Sequence, residues 1–288
     1  MNEVTQSSSN VYEVFALRYA THDTRRSGEN YLGDDPHDDI AMPLDFYVWV
    51  IRGNGRIVLV DTGFDATTAV RRGRRYLHSP IALLGELGIA ASEVDTVVIS
   101  HMHYDHAGNL SEFPNATLRV QEAEMTYCTG RCMCHEAVRR PFEARDVCAA
   151  IERLHSGFVV FTNGNEPIAS GIDVHLIGGH TAGLQAVRVR TARGNIVLAS
   201  DAAHYWDHVR TGRLFPIVHH VPAMLDGHRT LMDLADGPDH VIPGHDPLVR
   251  TRFSHWNGHP DIVMLHEKPV EHTGIDRDKG GPETKEAR

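Results

Sequence analysis

The stretch that decides the reading is His101-Met102-His103-Tyr104-Asp105-His106-Ala107-Gly108-Asn109-Leu110, which follows the apolar run Thr96 to Ile99. It packs three imidazoles and one carboxylate into six positions. A histidine-rich surface loop is the plainer alternative, but almost no structural role needs that density of ligands. In extended or turning backbone alternate side chains share a face, which predicts that His101, His103 and Asp105 converge while His106 swings in at the turn. The small Ala107 and Gly108 allow a tight bend there. Imidazole and carboxylate together suit a borderline divalent ion such as Zn²⁺, and a motif without thiolates points to a catalytic site rather than a closed structural one.

Working outward, Gly178-Gly179-His180-Thr181-Ala182-Gly183, Ser200-Asp201-Ala202 and Ile242-Pro243-Gly244-His245-Asp246 carry further ligand types, and Val60-Asp61-Thr62-Gly63 precedes them. With the central stretch, these resemble the His-x-His-x-Asp-His motif, the Gly-His-Thr-x-Gly element, the bridging aspartate and the last histidine of the metallo-β-lactamase superfamily, in order, over roughly residues 44 to 246. Asp61 and Gly63 match a pair that braces the metal loop from outside the ligand set. The resemblance implies an αβ/βα sandwich of two mixed β-sheets with outer helices; periodicity alone yields only mixed α/β. It also implies two divalent ions, zinc first. His101, His103 and His180 would hold one, Asp105, His106 and His245 the other, and Asp201 would bridge them.

The chain has 288 residues, 41% of them hydrophobic, enough for one large domain, and we expect a single domain over 1–288 with residues 1–10 and about 270–288 disordered. The formal net charge of −10 disfavours a nucleic-acid partner. The one basic cluster, Arg71 to Arg75, reads as a solvated helix face or loop. No apolar run approaches the ~20 residues of a membrane span. The polar first ten residues lack an apolar core, so the reading is cytoplasmic. Cys128, Cys132, Cys134 and Cys148 fall in one segment whose spacing fits no common zinc pair, so free thiols are expected.

In chain order, Tyr12 to Ala20 reads as a strand and 21 to 43 as a long irregular loop. Leu44 to Ile51 and Arg56 to Asp61 read as a hairpin around Arg52-Gly53-Asn54-Gly55. Ser79 to Leu87 has helical spacing with Gly88 as a stop. Val94 to Ser100 is a buried strand that delivers His101 to the sheet's carboxyl edge. Leu118 to Gln121 is a short strand, and Glu122 to Leu154 is mostly helical with breaks at Gly130 and Pro141. Val159 to Phe161, Asp173 to Ile177, Ala186 to Thr191 and Asn195 to Ala199 are strands. Val221 to Ala235 is the last good helix, and from about Gly258 the chain turns polar.

The resemblance is nearest to the N-acyl homoserine lactonase branch, whose members open lactone rings. It implies a small-molecule substrate attacked by a metal-bridging hydroxide, and leaves room for a homodimer. Asp105 would then carry the proton to the leaving alkoxide. Met42, Phe46, Tyr104, Trp206, Phe215 and Met224 are candidates for an acyl-chain pocket or for ordinary core. His219 and His220 are candidates to reach the substrate. In that branch a tyrosine commonly stands three residues after the bridging aspartate; here that place is His204, with Tyr205 next. We therefore expect His204, with Tyr205 as runner-up, to contact the substrate carbonyl. A glyoxalase II-type thioesterase, or a hydrolase of another cyclic ester or amide, is the alternative. A β-lactam hydrolase would normally be exported, and a flavo-diiron protein would need a flavin domain.

Overall fold

The computed structural model describes residues 10–270. The disorder expected over 1–10 and about 270–288 falls, apart from Asn10 and Val270, outside those residues. One sheet runs in the order Ile262–Met264, Glu13–His22, Leu44–Gly53, Arg56–Val60, Thr96–Val98, Thr117–Gln121 and Val159–Thr162, with Arg75–Tyr76 paired to Glu13–His22. The other runs Val241–Pro243, Gly194–Ser200, Gln185–Thr191, Ile172–Leu176 and Glu166–Ala169.

Strand alternation builds the layers. Tyr47, Trp49 and Ile51 share the inter-sheet core with Val187, Val189, Ile196 and Leu198. Their neighbours Phe46, Val48 and Val50 instead join Leu83 and Leu84 of the helix Pro80–Glu86. Ala186, Val197 and Ala199 meet Leu231 of the helix Val221–Leu234 on the opposite outer face. Strands covered on both faces read as continuous apolar runs, which is why Phe46 to Ile51 shows no polar position. Each such side chain contributes about 1.5–3 kcal/mol by burial. The result is the expected αβ/βα sandwich.

The site is positioned by two parallel strand pairs. Arg56–Val60 runs parallel to Thr96–Val98, and Gly194–Ser200 parallel to Val241–Pro243. The carboxyl ends of these pairs feed Asp61, His101, Asp201 and His245 into one edge of the sandwich, where open α/β sheets place their sites.

Several elements differ from expectation. The helix Ala66–Arg72 was not foreseen; Asp65 caps it by accepting from the Thr68 amide at 2.7 Å, and Gly73 ends it at φ 64°. It carries Arg71 and Arg72 of the basic cluster on its last turn. Residues 122 to 154 break at Gly130 and Pro141 as expected, but yield Glu122–Thr129, Glu136–Arg139 and Ala144–His155 with a 3-10 turn over Arg131–Cys134. Ile262–Met264, in the stretch read as polar, is an edge strand, because three residues have no period of their own and take their conformation from Phe15 to Leu17. The loop 21–43 is tied at its neck by the amides of Ser27 and Met42, which donate to the carbonyls of Ile40 and Arg25 at 2.9 Å each.

Candidate metal centre

Two backbone kinks open the site. Asp61 and Ser200, each the first residue past or the last residue of its strand, hold φ values of 61° and 47°. Non-glycine residues seldom adopt this region, and when they do the surroundings must hold them there. At Asp61 they do: its carboxylate accepts from the Ser100 amide at 2.7 Å and from Ser100 Oγ at 2.8 Å. Ser200 Oγ lies 2.8 Å from Ser100 Oγ and closes the bridge between the sheets.

Beyond Ser100 the extended alternation lasts only to His103. Tyr104–Ala107 is a single helical turn with His103 at its N-cap, so Asp105 and His106 arrive by rotation around a helix, not by strand alternation. The turn is anchored by the Thr62 amide donating to the His106 carbonyl at 2.7 Å and by the Tyr19 hydroxyl donating to the Asp105 carbonyl at 2.7 Å. Gly108 donates to the Gly63 carbonyl at 2.8 Å, and a Cβ there would sit 2.7 Å from that oxygen. The tight bend therefore needs glycine for close approach.

The structure brings together all seven residues expected as ligands. His101, His103, His180 and Asp201 form one buried group, and Asp105, His106 and His245 a second; within each group the donor atoms lie within 4.8 Å of one another, and Asp201, His204 and His245 meet the same distance as a third set. His103 Nδ1 stands 2.9 Å from His101 Nε2 and 3.0 Å from His180 Nε2. Asp201 turns one oxygen to each side. Its Oδ2 is 3.2 Å from His180 Nε2, and its Oδ1 is 3.1 Å from His106 Nε2 and 2.9 Å from His245 Nε2. Asp105 reaches the second group at 3.8 Å from His106 Nε2 and 3.9 Å from His245 Nε2.

The outward nitrogens are held as well. His106 Nδ1 faces Asp61 Oδ2 at 2.7 Å, His245 Nδ1 faces the Asp45 carbonyl at 2.9 Å, and His101 Nδ1 faces Ser100 Oγ at 3.1 Å. With their outer nitrogens so engaged, these rings direct their Nε2 lone pairs inward.

Burial, reinforced by the neighbouring histidines, pushes His101 and His103 well below the usual imidazole range. Burial opposes the charge of His106 too, yet Asp201, Asp105 and Asp61 hold it well above that range. Burial alone would raise Asp201, but His204, His245, His106 and His180 hold it well below the carboxylate range. His101 Nε2 and His180 Nε2 both converge on the single Nδ1 of His103, and an imidazole nitrogen, with one proton or one lone pair, can make only one good hydrogen bond there. This donor set, mixed imidazole and carboxylate in a water-poor pocket, fits a pair of divalent cations such as zinc.

The profile of the metallo-beta-lactamase superfamily matches residues 44–245, from the strand carrying Phe46 to the last of these histidines. The chain belongs to the metallo-β-lactamase superfamily. Among its relatives in the superfamily, N-acyl homoserine lactonase AttM of Azorhizobium caulinodans is 27% identical over 190 residues, 63% of this chain and 69% of that protein. N-acyl homoserine lactonase AiiB of Agrobacterium fabrum is 28% identical over 186 residues, 57% of this chain and 64% of that protein. A probable metallo-hydrolase of Mycobacterium tuberculosis is 27% identical over 177 residues, 56% of this chain and 54% of that protein. For the last two, the match spans less than two thirds of the relative.

Solved structures share the fold. An N-acyl homoserine lactone hydrolase with N-hexanoyl-L-homoserine bound at its catalytic metal center aligns with a TM-score of 0.68 at 17% identity, covering 84% of this chain and 96% of that one. AidC, a dizinc quorum-quenching lactonase, aligns with a TM-score of 0.65 at 13% identity, covering 92% and 96%.

Around this metallo-β-lactamase centre the remaining candidates separate. His204 is buried with Nε2 3.2 Å from Asp201 Oδ2, and its ring stacks on Phe215 at 3.6 Å and 13°. Tyr205 corrects the expectation placed on it. Its hydroxyl accepts from Asn30 Nδ2 at 2.9 Å and lies 3.2 and 3.0 Å from the carbonyls of Met42 and Pro43, so it fastens the 21–43 loop and is not aimed at the ligands. His220 caps the helix Val221–Leu234, accepting from the Ala223 amide at 3.1 Å. His219 lines a cleft of about 580 Å³ with Tyr127, Arg131 and Ala182.

Among the apolar candidates, Phe215 stacks on His204, and Tyr104, between His103 and Asp105 in the chain, stacks on Phe64. Phe46 packs edge-on to His245 from the core, at 5.1 Å, while Met224 lies under Gly179. Trp206 donates to the Val241 carbonyl at 2.7 Å and, with Met42 and Tyr205, lines a cavity of about 1000 Å³. All four cysteines are free thiols.

Sequence reasoning missed Glu124. It is fully buried and accepts from the Met102 amide at 2.8 Å, Thr181 Oγ1 at 2.6 Å and the Gly183 amide at 3.0 Å, lacing the His101–His103 segment to the His180 loop. A glutamate near the start of a helix reads as a solvated residue, and only Gly183, where a Cβ would overlap the Glu124 backbone, hinted at a close partner. Phe142, edge-on to His103 at 4.5 Å, was missed for the same reason of distance in sequence.

Proposed function

We propose that this chain is a dinuclear hydrolase that opens a lactone ring, of the N-acyl homoserine lactone class or a related cyclic ester. The observation that carries the reading is that the seven expected ligands fall into two groups with one oxygen of Asp201 facing each. Its support in the family comes from the relatives named N-acyl homoserine lactonase and from structures of the same fold with a homoserine product at a metal center.

His101, His103, His180 and Asp201 would hold one ion, and Asp105, His106, His245 and Asp201 the other. When bound, zinc or a similar ion supplies a water that is nucleophilic at neutral pH and a Lewis acid for the carbonyl.

The chain's own residues supply the rest. Asp105, the more exposed of the two cluster carboxylates at 8%, receives the proton of the attacking water on a carboxylate oxygen and delivers it to the alkoxide released when the ring opens. Asp61, Ser100 and Asp45 keep the imidazoles from turning. His204, fixed by its stack on Phe215, offers a ring nitrogen to the carbonyl oxygen as charge develops there, a contact of the kind worth roughly 10²–10³ in rate. The free thiols fit a reducing, cytoplasmic setting.

A panel of γ-lactones, thioesters and β-lactams, followed by proton release with metal-replete protein, tests the proposal. Turnover of lactones above the other two classes is expected. Preference for thioesters would transfer the site to the glyoxalase II-type alternative.

A further inference from the structure

Arg25 stands two side chains from the ligands, through Phe215 and His204, and Arg74 contacts Tyr104, whose chain neighbours are His103 and Asp105. Arg25, at the neck of the 21–43 loop, lies over the Phe215 ring at 5.0 Å, and Phe215 in turn stacks on His204. Arg74, just past the helix Ala66–Arg72, donates from Nε to the Tyr104 hydroxyl at 3.1 Å, and Tyr104 stands between His103 and Asp105. Arg74 also meets His22 Nε2 at 3.4 Å, while His22 Nδ1 is buried without a hydrogen-bond partner. The two arginines thus approach the cluster from its His204 side and its Asp105 side.

Their partners are all neutral. Arg25 donates to the Asn30 side chain and the Glu29 carbonyl, and Arg74 to Tyr104 and His22. Among the described residues no carboxylate lies within 4 Å of either. Nearby arginines are different: Arg71 and Arg72 share Glu143, Arg75 has Asp23 and Arg145 has Asp65. Both Arg25 and Arg74 are partly buried, and the field is strong enough that burial together with Arg74 and Arg25 pushes His22 down to about 4. Glu29 and Asp23 oppose that shift more weakly, and Glu29 also favours the charge of Arg25 without contacting it through its carboxylate. Half-desolvated cations without a contacting carboxylate are costly to keep, and an incoming anion would offset that cost. In a chain of net charge −10, they also form a local positive field at the rim of the site.

We propose that Arg25 and Arg74 form an anion-recognition rim, and that the natural substrate is an ester carrying an oxyanion, a carboxylate before a phosphate, remote from the bond that breaks. The planar guanidinium fork matches such groups in geometry as well as charge. The inference takes the identity of the bond broken from the hydrolase reading, but the recognition of the anion does not depend on it. It replaces a purely apolar acyl tail as the feature that selects the substrate.

Binding calorimetry on metal-replete Asp105→Asn protein would compare a γ-lactone bearing a remote carboxylate, the same lactone as its carboxamide, and its phosphorylated counterpart. The carboxylate is expected to bind roughly 10- to 100-fold tighter than the carboxamide, the range of a charge-assisted contact. Adding Arg25→Gln and Arg74→Gln together should bring that ratio close to one. A stronger preference for the phosphorylated compound that the same pair of substitutions abolishes would assign the rim to phosphate.

Equal binding of carboxylate and carboxamide would overturn the proposal. So would a preference that survives both substitutions, because the metals would then be its source. Should the double variant fail to fold, the single variants Arg25→Gln and Arg74→Gln decide: each should lower the ratio, and a ratio unchanged in both would overturn the proposal. Turnover of the same compounds by the unaltered enzyme is scored separately: an arginine-dependent preference without lactone turnover sinks the lactonase reading and keeps the rim, and turnover without preference does the reverse.

Discussion

Replacing Asp61 with asparagine should loosen the centre from behind without touching a ligand. The Asp61 carboxylate is fully buried and accepts at 2.7 Å from the Ser100 amide, at 2.8 Å from Ser100 Oγ and at 2.7 Å from His106 Nδ1. A carboxamide has one acceptor oxygen, so its amino group must face one of those donors. Asparagine tolerates positive φ better than most residues, so the 61° backbone is not the source of the loss. A hydrogen bond to a charged acceptor contributes about 1.5–3 kcal/mol, and an orphaned buried donor costs a similar amount, so about 2–4 kcal/mol of stability should go. The His106 ring would lose the partner that sets its tautomer, which typically weakens metal affinity by roughly 10–100-fold. Denaturant unfolding and competition with a calibrated chelator, read by elemental mass spectrometry, measure both. The loss should fall first on the ion held by His106 and less on the His101 group, which Asp61 reaches only through Ser100. Unchanged midpoints, or equal weakening of both ions, would refute the bracing role.

Protein purified without chelator should contain two divalent ions per chain by elemental analysis; one ion with full activity would count against the dinuclear reading. Asp105→Asn should lower turnover by roughly 10²–10⁴ while most of the metal stays, and a fall in activity that merely tracks metal loss would remove the proton-transfer role. His204→Ala should reduce turnover, whereas Tyr205→Phe should lower the melting temperature by releasing the 21–43 loop and leave the chemical step intact; the reverse pattern would reassign the carbonyl contact. Burial raises the Asp146 carboxyl to about 6 from 3.8, against the pull of Arg145, and its Oδ2 has no partner. The folded chain therefore binds more protons than the unfolded chain between those values, and stability falls as pH rises through that window. Asp146→Asn should raise the melting temperature at pH 7.5 and bring little gain near pH 4; an equal effect at both would show that ionisation is not the cause.

What the amino-acid order determined by itself is the chemistry carried by contiguous residues. Six positions from His101 to His106 hold four of the seven donors, and donor type alone points to a borderline cation. The apolar runs around Phe46 and Val97 likewise declare strands covered on both faces, because burial of both faces leaves no polar position. Tertiary structure decided whatever depends on partners far away in sequence. Asp105 and His106 come round on a helical turn because Thr62 and Tyr19 hold that turn's carbonyls. Tyr205 points to the 21–43 loop because the chain leaves the strand at Ser200, so period-two alternation no longer governs it. Glu124, Arg25 and Arg74 read as ordinary surface charges until the fold sets the first among the backbone amides of two ligand loops and the other two beside Phe215 and Tyr104. A side chain's charge is local, but its burial and its counter-charges are set by segments up to hundreds of residues away, and only the folded chain brings those together.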